Sequence, residues 1–255
     1  MRDLDKYQAD YAEHAFESVQ AGFRRRKTME CLRHHRPRRV LEVGCGLSPL
    51  CTEYTDFDSM HIVEPSGDFF AAAQQCIGDD ARVHLHRGTI EECAPQLQAG
   101  FDFIVVSGLL HEVDEPAGIL DCVRRLCLPE TVVHVTVPNA RSLHRLLALE
   151  MGLISQLHEL SDAQRRLQQH RTFDLERLTA LLEGCGFDVI ESGSLFVKPF
   201  THAQMASLSE SGFLSAEMLE GLFGLAKHIP EFGSEIFVNA KTGNAVRNSN
   251  PGGAP

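Results

Sequence analysis

The heptapeptide Val40-Leu41-Glu42-Val43-Gly44-Cys45-Gly46 constrains this chain more than any other stretch. An apolar run ends there in Gly-x-Gly, and a second apolar run, His61-Ile62-Val63, ends in Glu64. A strand that stops at a glycine turn lets a ligand approach bare backbone, because side chains at those positions would collide with it. An acidic residue at the tip of the next strand is placed to accept hydrogen bonds from both hydroxyls of a ribose. Together these features describe a nucleoside pocket at the carboxyl edge of a parallel sheet.

The rest of the chain alternates in the same manner. Arg39 to Val43, Met60 to Val63, Arg82 to Leu85, Phe101 to Val106 and Thr131 to Val137 read as strands. The stretch after Leu47, the segment opening at its N-cap Ser66, and Pro116 to Leu126 read as helices. Continuous apolar strands alternating with helices imply a parallel sheet covered on both faces. Ahead of it, residues 4–34 read as a helix whose apolar face is Tyr7, Tyr11, Phe16, Val19 and Phe23, ended by Pro37. Behind it, Ser142 to Gln169 carries helical periodicity, and Asp174 to Leu182 reads as a helix capped near Asp174 or Thr172. Phe187 to Val197 reads as a strand, residues 203–228 as helical and Ser234 to Ala240 as a final strand. The expected organisation is an N-terminal helical cap (1–34), one domain (35–243) with helical inserts at 141–170 and 198–232, and a tail (244–255) too polar and glycine-rich to pack.

Composition narrows the function. A formal charge of −11 argues against a nucleic-acid backbone as main partner, since phosphate binding needs clustered cations. The eight cysteines form no C-x-x-C, so reduced buried thiols in a cytoplasmic protein are the expectation. No apolar stretch approaches the length of a membrane span, and the first residues lack the apolar core of a signal peptide. The thirteen histidines include no H-x-x-x-H and no H-E-x-x-H, so no protein-bound metal is expected.

In this order the features resemble a class I S-adenosylmethionine-dependent methyltransferase over roughly Arg38 to Ala240. The motifs that carry the likeness are Leu41 to Gly46, the acidic strand end Val63-Glu64-Pro65-Ser66, the strand-four region Phe101 to Val113, and the late run Arg171-Thr172-Phe173 to Cys185-Gly186-Phe187. Val137 to His144 is similar to the small-molecule branch, which includes ubiquinone-pathway O-methyltransferases and bacterial sugar or natural-product tailoring enzymes. The resemblance implies an α/β, Rossmann-like seven-stranded sheet of order 3-2-1-4-5-7-6 with strand 7 antiparallel, helices on both faces and a helical lid. It implies S-adenosyl-L-methionine as cofactor and a small-molecule acceptor, with no nucleic acid and no membrane as partner, and it leaves a homodimer open. The dinucleotide pattern G-x-G-x-x-G is missing, because Ser48 and Pro49 follow the pair.

The same resemblance assigns the site. Gly44, Cys45 and Gly46 form the turn under the cofactor, with Glu42 orienting that turn or receiving the cofactor's ammonium through water. Glu64 takes the ribose hydroxyls, Pro65 and Ser66 flank the adenine, and Thr89, Ile90 and Glu91 surround its ring. Ser107 and Gly108 present backbone to the methionine part. Tyr11 closes the pocket from the N-terminal helix or merely packs it, and Arg24 reaches for the cofactor's carboxylate. A hydroxyl acceptor has a proton to lose, which suits histidine, so His111, His144 and His170 are the expected bases. Arg141, Arg145, Arg171 and His202 are expected near the acceptor, the arginines recognising an anionic group or simply meeting water. O-methylation is preferred; transfer to a small amine, an NAD(P)-dependent oxidoreductase and a non-catalytic cofactor-binding module are the alternatives.

Overall fold

The computed structural model describes residues 16–160, 165 and 169–243, so the expectations for Tyr7, Tyr11 and the tail lie outside the described residues. Seven strands form one sheet: β1 (Arg39–Val43), β2 (Ser59–Glu64), β3 (Val83–Arg87), β4 (Phe101–Ser107), β5 (Cys127–Pro138), β6 (Phe187–Leu195) and β7 (Glu235–Thr242). Their order is β3-β2-β1-β4-β5-β7-β6. The first five pair in parallel, and β7 runs antiparallel between β5 and β6, as the resemblance implies. The described helices are α1 (Glu17–His35), α2 (Gly67–Ile77), α3 (Ile90–Cys93), α4 (Pro116–Leu126), α5 (Leu143–Glu150), α6 (Leu175–Gly184), α7 (His202–Glu210) and α8 (Ala216–Leu225).

The central strands are apolar at consecutive positions because both faces are buried. Leu41, Val43, Ile104, Val106, Val133 and Val135 join one core with Ile119, Leu120 and Val123 of α4. Their sequence neighbours Val40, Phe103, Val105 and Val132 join a second core with Met60, Ile62, Met29 and Leu32. A third cluster holds α1 to the β6–β7 end: Phe23 stacks on Phe196 at 4.6 Å and on Phe223 at 4.9 Å, with Phe16, Met205 and Leu214 around them.

Three expectations need correction. The stretch after Leu47 contains only a single 3-10 turn, Leu50–Thr52. Pro49 is extended, and Arg25 donates to the carbonyls of Ser48 and Pro49, which pins the loop before a longer helix can start. The helix expected over 142–169 is α5 alone in its first part. It stops at Met151, Gly152 turns the chain at φ 70°, and turns and bends follow to residue 160. Strand β6 ends at Leu195 rather than Val197, because Phe196 adopts a left-handed φ of 54°. A bulky residue in that region carries strain of roughly 1–3 kcal/mol. The aromatic stack on Phe23 holds it there, and the bend carries Lys198 to the carboxyl edge of the sheet.

Candidate functional site

The turn after β1 is built for a ligand. Gly44 and Gly46 have φ of 80° and 55°, conformations that only glycine adopts readily, and a methyl group added at either would meet nothing within 4 Å. Glu64, 4 % exposed, closes the adjacent strand end. Its Oε2 accepts from the Cys45 and Gly46 amides at 3.1 and 3.3 Å, and its Oε1 accepts from the Ser66 amide at 2.9 Å. Burial pushes its carboxyl above the usual carboxylate range, and these three amides oppose the shift. The carboxylate is therefore held in a fixed position beside an open turn, with lone-pair capacity left over. Open space over two left-handed glycines beside such a carboxylate fits an aminonucleoside with a free sugar diol.

Of the two parts expected for Glu42, orienting the turn is the one its hydrogen bond agrees with. It is also 4 % exposed, its Oε2 accepts from the Leu50 amide at 2.9 Å, and burial pushes its pKa up to about 8. Burial favours its uncharged form, and in that form it ties the 3-10 turn to β1.

Around the expected adenine side, Pro65 is exposed and Ser66 is buried, its hydroxyl capping α2 through the Phe69 amide at 3.4 Å. Gly88 reaches Glu64 by donating to its carbonyl at 3.2 Å, which brings the exit of β3 to the same place. Thr89 and Glu92 form a reciprocal capping box at the start of α3, and Glu91 is exposed. Ile90 turns its side chain, 2 % exposed, into the core with Cys93 and Leu97, so only its backbone is left to border a ligand.

At the end of β4, the Ser107 hydroxyl meets that of Thr136 at 2.8 Å, and the Gly108 amide donates to the Thr136 carbonyl at 2.9 Å. Gly108 has φ 67°, and a methyl added there would lie 3.4 Å from an Arg24 guanidinium nitrogen. Arg24 is committed elsewhere than the cofactor carboxylate expected for it. Nε and Nη2 donate to the two oxygens of Glu235 at 2.7 and 2.6 Å, and Nη2 donates also to Glu17 at 3.0 Å. Gln20 adds a third bond to Glu235, which is 0 % exposed. Glu235 opens β7 opposite Pro138 and Leu195, so this bidentate ion pair sits at the carboxyl edge of the parallel strands.

The histidines divide into two groups. His111 is buried, with Nε2 3.6 Å from Glu112, and its carbonyl accepts from the His170 and Arg171 amides. His170 Nδ1 lies 2.9 Å from Asp114, and the Arg171 guanidinium donates to the Asp114 carbonyl at 2.8 Å. Both border a hollow of about 570 Å³ together with His158, Arg165 and Arg177. Arg141 is exposed, and Arg145 spends its guanidinium on the carbonyls of Leu157 and Glu159. The second group is His144, His202 and a residue that the sequence does not single out, Lys198. His144 Nδ1 is buried without a hydrogen-bond partner among the described residues. Burial, then the charges of Lys198, His202 and Arg145, hold its pKa well below the usual imidazole value. His202 Nε2 lies 3.3 Å from Glu17, and Lys198 Nζ lies 3.2 and 3.4 Å from the two His202 ring nitrogens. A single charge inside the apolar run Leu195 to Phe200 is the one local signal that would have flagged Lys198.

Comparison with known proteins follows from this geometry. A family model described as "Methyltransferase domain" matches residues 11–192. No curated protein matches the chain. Among solved structures, the plantazolicin methyltransferase BamL, in complex with a triazolic desmethylPZN analog and SAH, is 12 % identical over 93 % of this chain and 94 % of that one, with a TM-score of 0.59. A SAM-dependent methyltransferase from Thermotoga maritima, a possible histamine N-methyltransferase, is 18 % identical over 94 % of this chain and 96 % of that one, at a TM-score of 0.57. The [4+2]-cyclase SpnF is 19 % identical over 81 % of this chain and 75 % of that one, at a TM-score of 0.54. At such identities the likeness is one of fold.

Proposed function

The chain belongs to the methyltransferase-domain family, and from that membership we propose that it transfers a methyl group from S-adenosylmethionine to an oxygen of a small-molecule acceptor, with His144 taking the acceptor's proton. The observation that carries this reading is the open Gly44–Gly46 turn with Glu64 fixed beside it. S-adenosylmethionine supplies an electrophilic methyl on a cationic sulfur, so the protein's work is to position, to exclude water and to manage one proton. Glu64 and the turn hold the nucleoside part. Helix α1 packs on the segment after β6 and brings Arg24 beside Gly108. His144 is placed to accept a proton because burial keeps it neutral at pH 7 and leaves Nδ1 unpaired among the described residues, and the same burial makes it a weak base that needs the acceptor's hydroxyl acidified. The eight cysteines are all free thiols, which supports a reducing, cytoplasmic setting. No described helix is long and apolar enough to cross a membrane.

The first test is ligand-dependent stability. S-adenosylhomocysteine at a hundred times its dissociation constant is expected to stabilise the protein by about 2.7 kcal/mol, read as a rise in melting temperature, whereas NAD and NADP leave it unchanged. A shift with the nicotinamide cofactors alone would remove the methyl-transfer reading. His144→Ala is expected to lower kcat at least tenfold with S-adenosylhomocysteine affinity within twofold of the parent, measured by steady-state kinetics and calorimetry. Full turnover in that variant would move proton removal away from His144.

A further inference from the structure

Lys198 is the residue of this site that its own surroundings leave incomplete. It is 1 % exposed, and among the described residues its Nζ reaches only the ring of His202. An ammonium has three N–H donors, and a buried one needs partners for them. The nearby carboxylates are already engaged. Glu235 takes both arms of Arg24 and the amide of Gln20. Glu17 gives one oxygen to Arg24 and the other to His202. Burial would raise the Glu17 carboxyl, but His202 and Arg24 outweigh it and hold it down to about 2, so this carboxylate stays ionised in its existing pairs. The charges of Glu17 and Glu235 act on Lys198 from a distance without an ion pair to it, and burial brings the lysine down to about 8. The other groups turned toward it are His144, held neutral on α5, and His202 on α7. The chain also accepts a strained Phe196 to deliver this lysine, since the left-handed bend there is what brings residue 198 to the carboxyl edge.

We infer that Lys198 is the acceptor-binding group of this site, and that the acceptor presents to it an oxygen that is anionic or becomes so, as in a carboxylate, a phenol or an enol. This rests on the methyl-transfer reading and names its substrate class. An oxyanion supplies the missing partner for the Nζ donors. Conversely, a fixed buried ammonium favours ionisation of a bound hydroxyl, which eases the task of a weakly basic imidazole such as His144. A cationic amine is disfavoured by the same charge.

The experiment uses the full chain saturated with S-adenosylhomocysteine, titrated calorimetrically with acetate, benzoate and 4-nitrophenolate, with benzylamine as the cationic control. At least one of the anions is expected to bind and benzylamine is not. Affinity for benzoate is expected to fall at least tenfold between pH 6.5 and pH 9.5, as Lys198 loses its proton while Arg24 and Arg145 keep theirs. Lys198→Met is expected to lose anion binding at least thirtyfold and to lose its pH dependence, with S-adenosylhomocysteine affinity within twofold as the check that the site is folded. Lys198→Gln serves as the second variant with the same expectation. Binding of benzylamine and none of the anions, equal anion affinity in both variants, or no binding of any probe to the loaded protein overturns the inference. Loss of S-adenosylhomocysteine binding by the parent protein instead strikes at the methyl-transfer reading itself.

Discussion

Glu64→Ala is expected to weaken S-adenosylhomocysteine binding several hundredfold by calorimetry, while the chain still unfolds in one cooperative transition at a lowered melting temperature. The affinity estimate follows from losing two charge-assisted hydrogen bonds, each about 1.5–3 kcal/mol, to the sugar diol. A stability cost accompanies it, because the Cys45 and Ser66 amides that Glu64 now satisfies are buried and lose their acceptor. Glutamine is not the silent control it seems. Each oxygen of Glu64 accepts from a different backbone N–H, and an amide side chain would turn a donor toward one of them. Alanine is therefore the cleaner probe, and an affinity within threefold of the parent would end the ribose assignment.

Glu42→Gln is expected to show a large pH-dependent effect on stability. The folded-state pKa is raised from 4.5 to about 8 by burial. Below pH 4.5 the carboxyl is protonated in folded and unfolded chains alike, and its contribution is fully present. Between pH 4.5 and 8 the unfolded chain ionises while the folded chain holds its proton, so stability falls by about 1.4 kcal/mol per pH unit. Above the folded-state value the loss is complete. Glutamine can accept from the Leu50 amide as Glu42 does and has no proton to lose. The variant should match the parent near pH 4 and exceed it by ~3–5 kcal/mol near pH 8, measured by urea unfolding at both values. A constant difference across that range would show that Glu42 is ionised in the native protein.

The sheet was legible because its strands are written in short range. Runs such as Val40 to Val43 and Phe101 to Val106 are apolar at every step, a pattern that only burial on both faces explains. The open glycine turn beside Glu64 was legible for a similar reason, since glycine spacing and a strand-end acid are local facts. What escaped depends on distance along the chain. Arg24 and Glu235 meet across 211 positions, and nothing near either residue announces the other. Lys198 was missed because its importance lies in what fails to contact it. The burial of Ile90 was not legible, because a position next to a loop says nothing about which way the side chain turns. The helix expected across 142–169 shows the opposite failure: leucine spacing was read past Met151 and Gly152, where the backbone had already turned.

The place of β7 has a consequence for assembly. It enters between two neighbours that the ribosome makes earlier, so β6 has no pairing edge until β7 arrives. Arg24 likewise meets Glu235 only when β7 arrives, although Glu17 on its own helix is already within its reach. Closure of this sheet is thus a late, long-range event, the kind that slows folding. A nascent chain lacking that strand leaves the edges of β5 and β6 bare, a state well suited to capture by holdase chaperones.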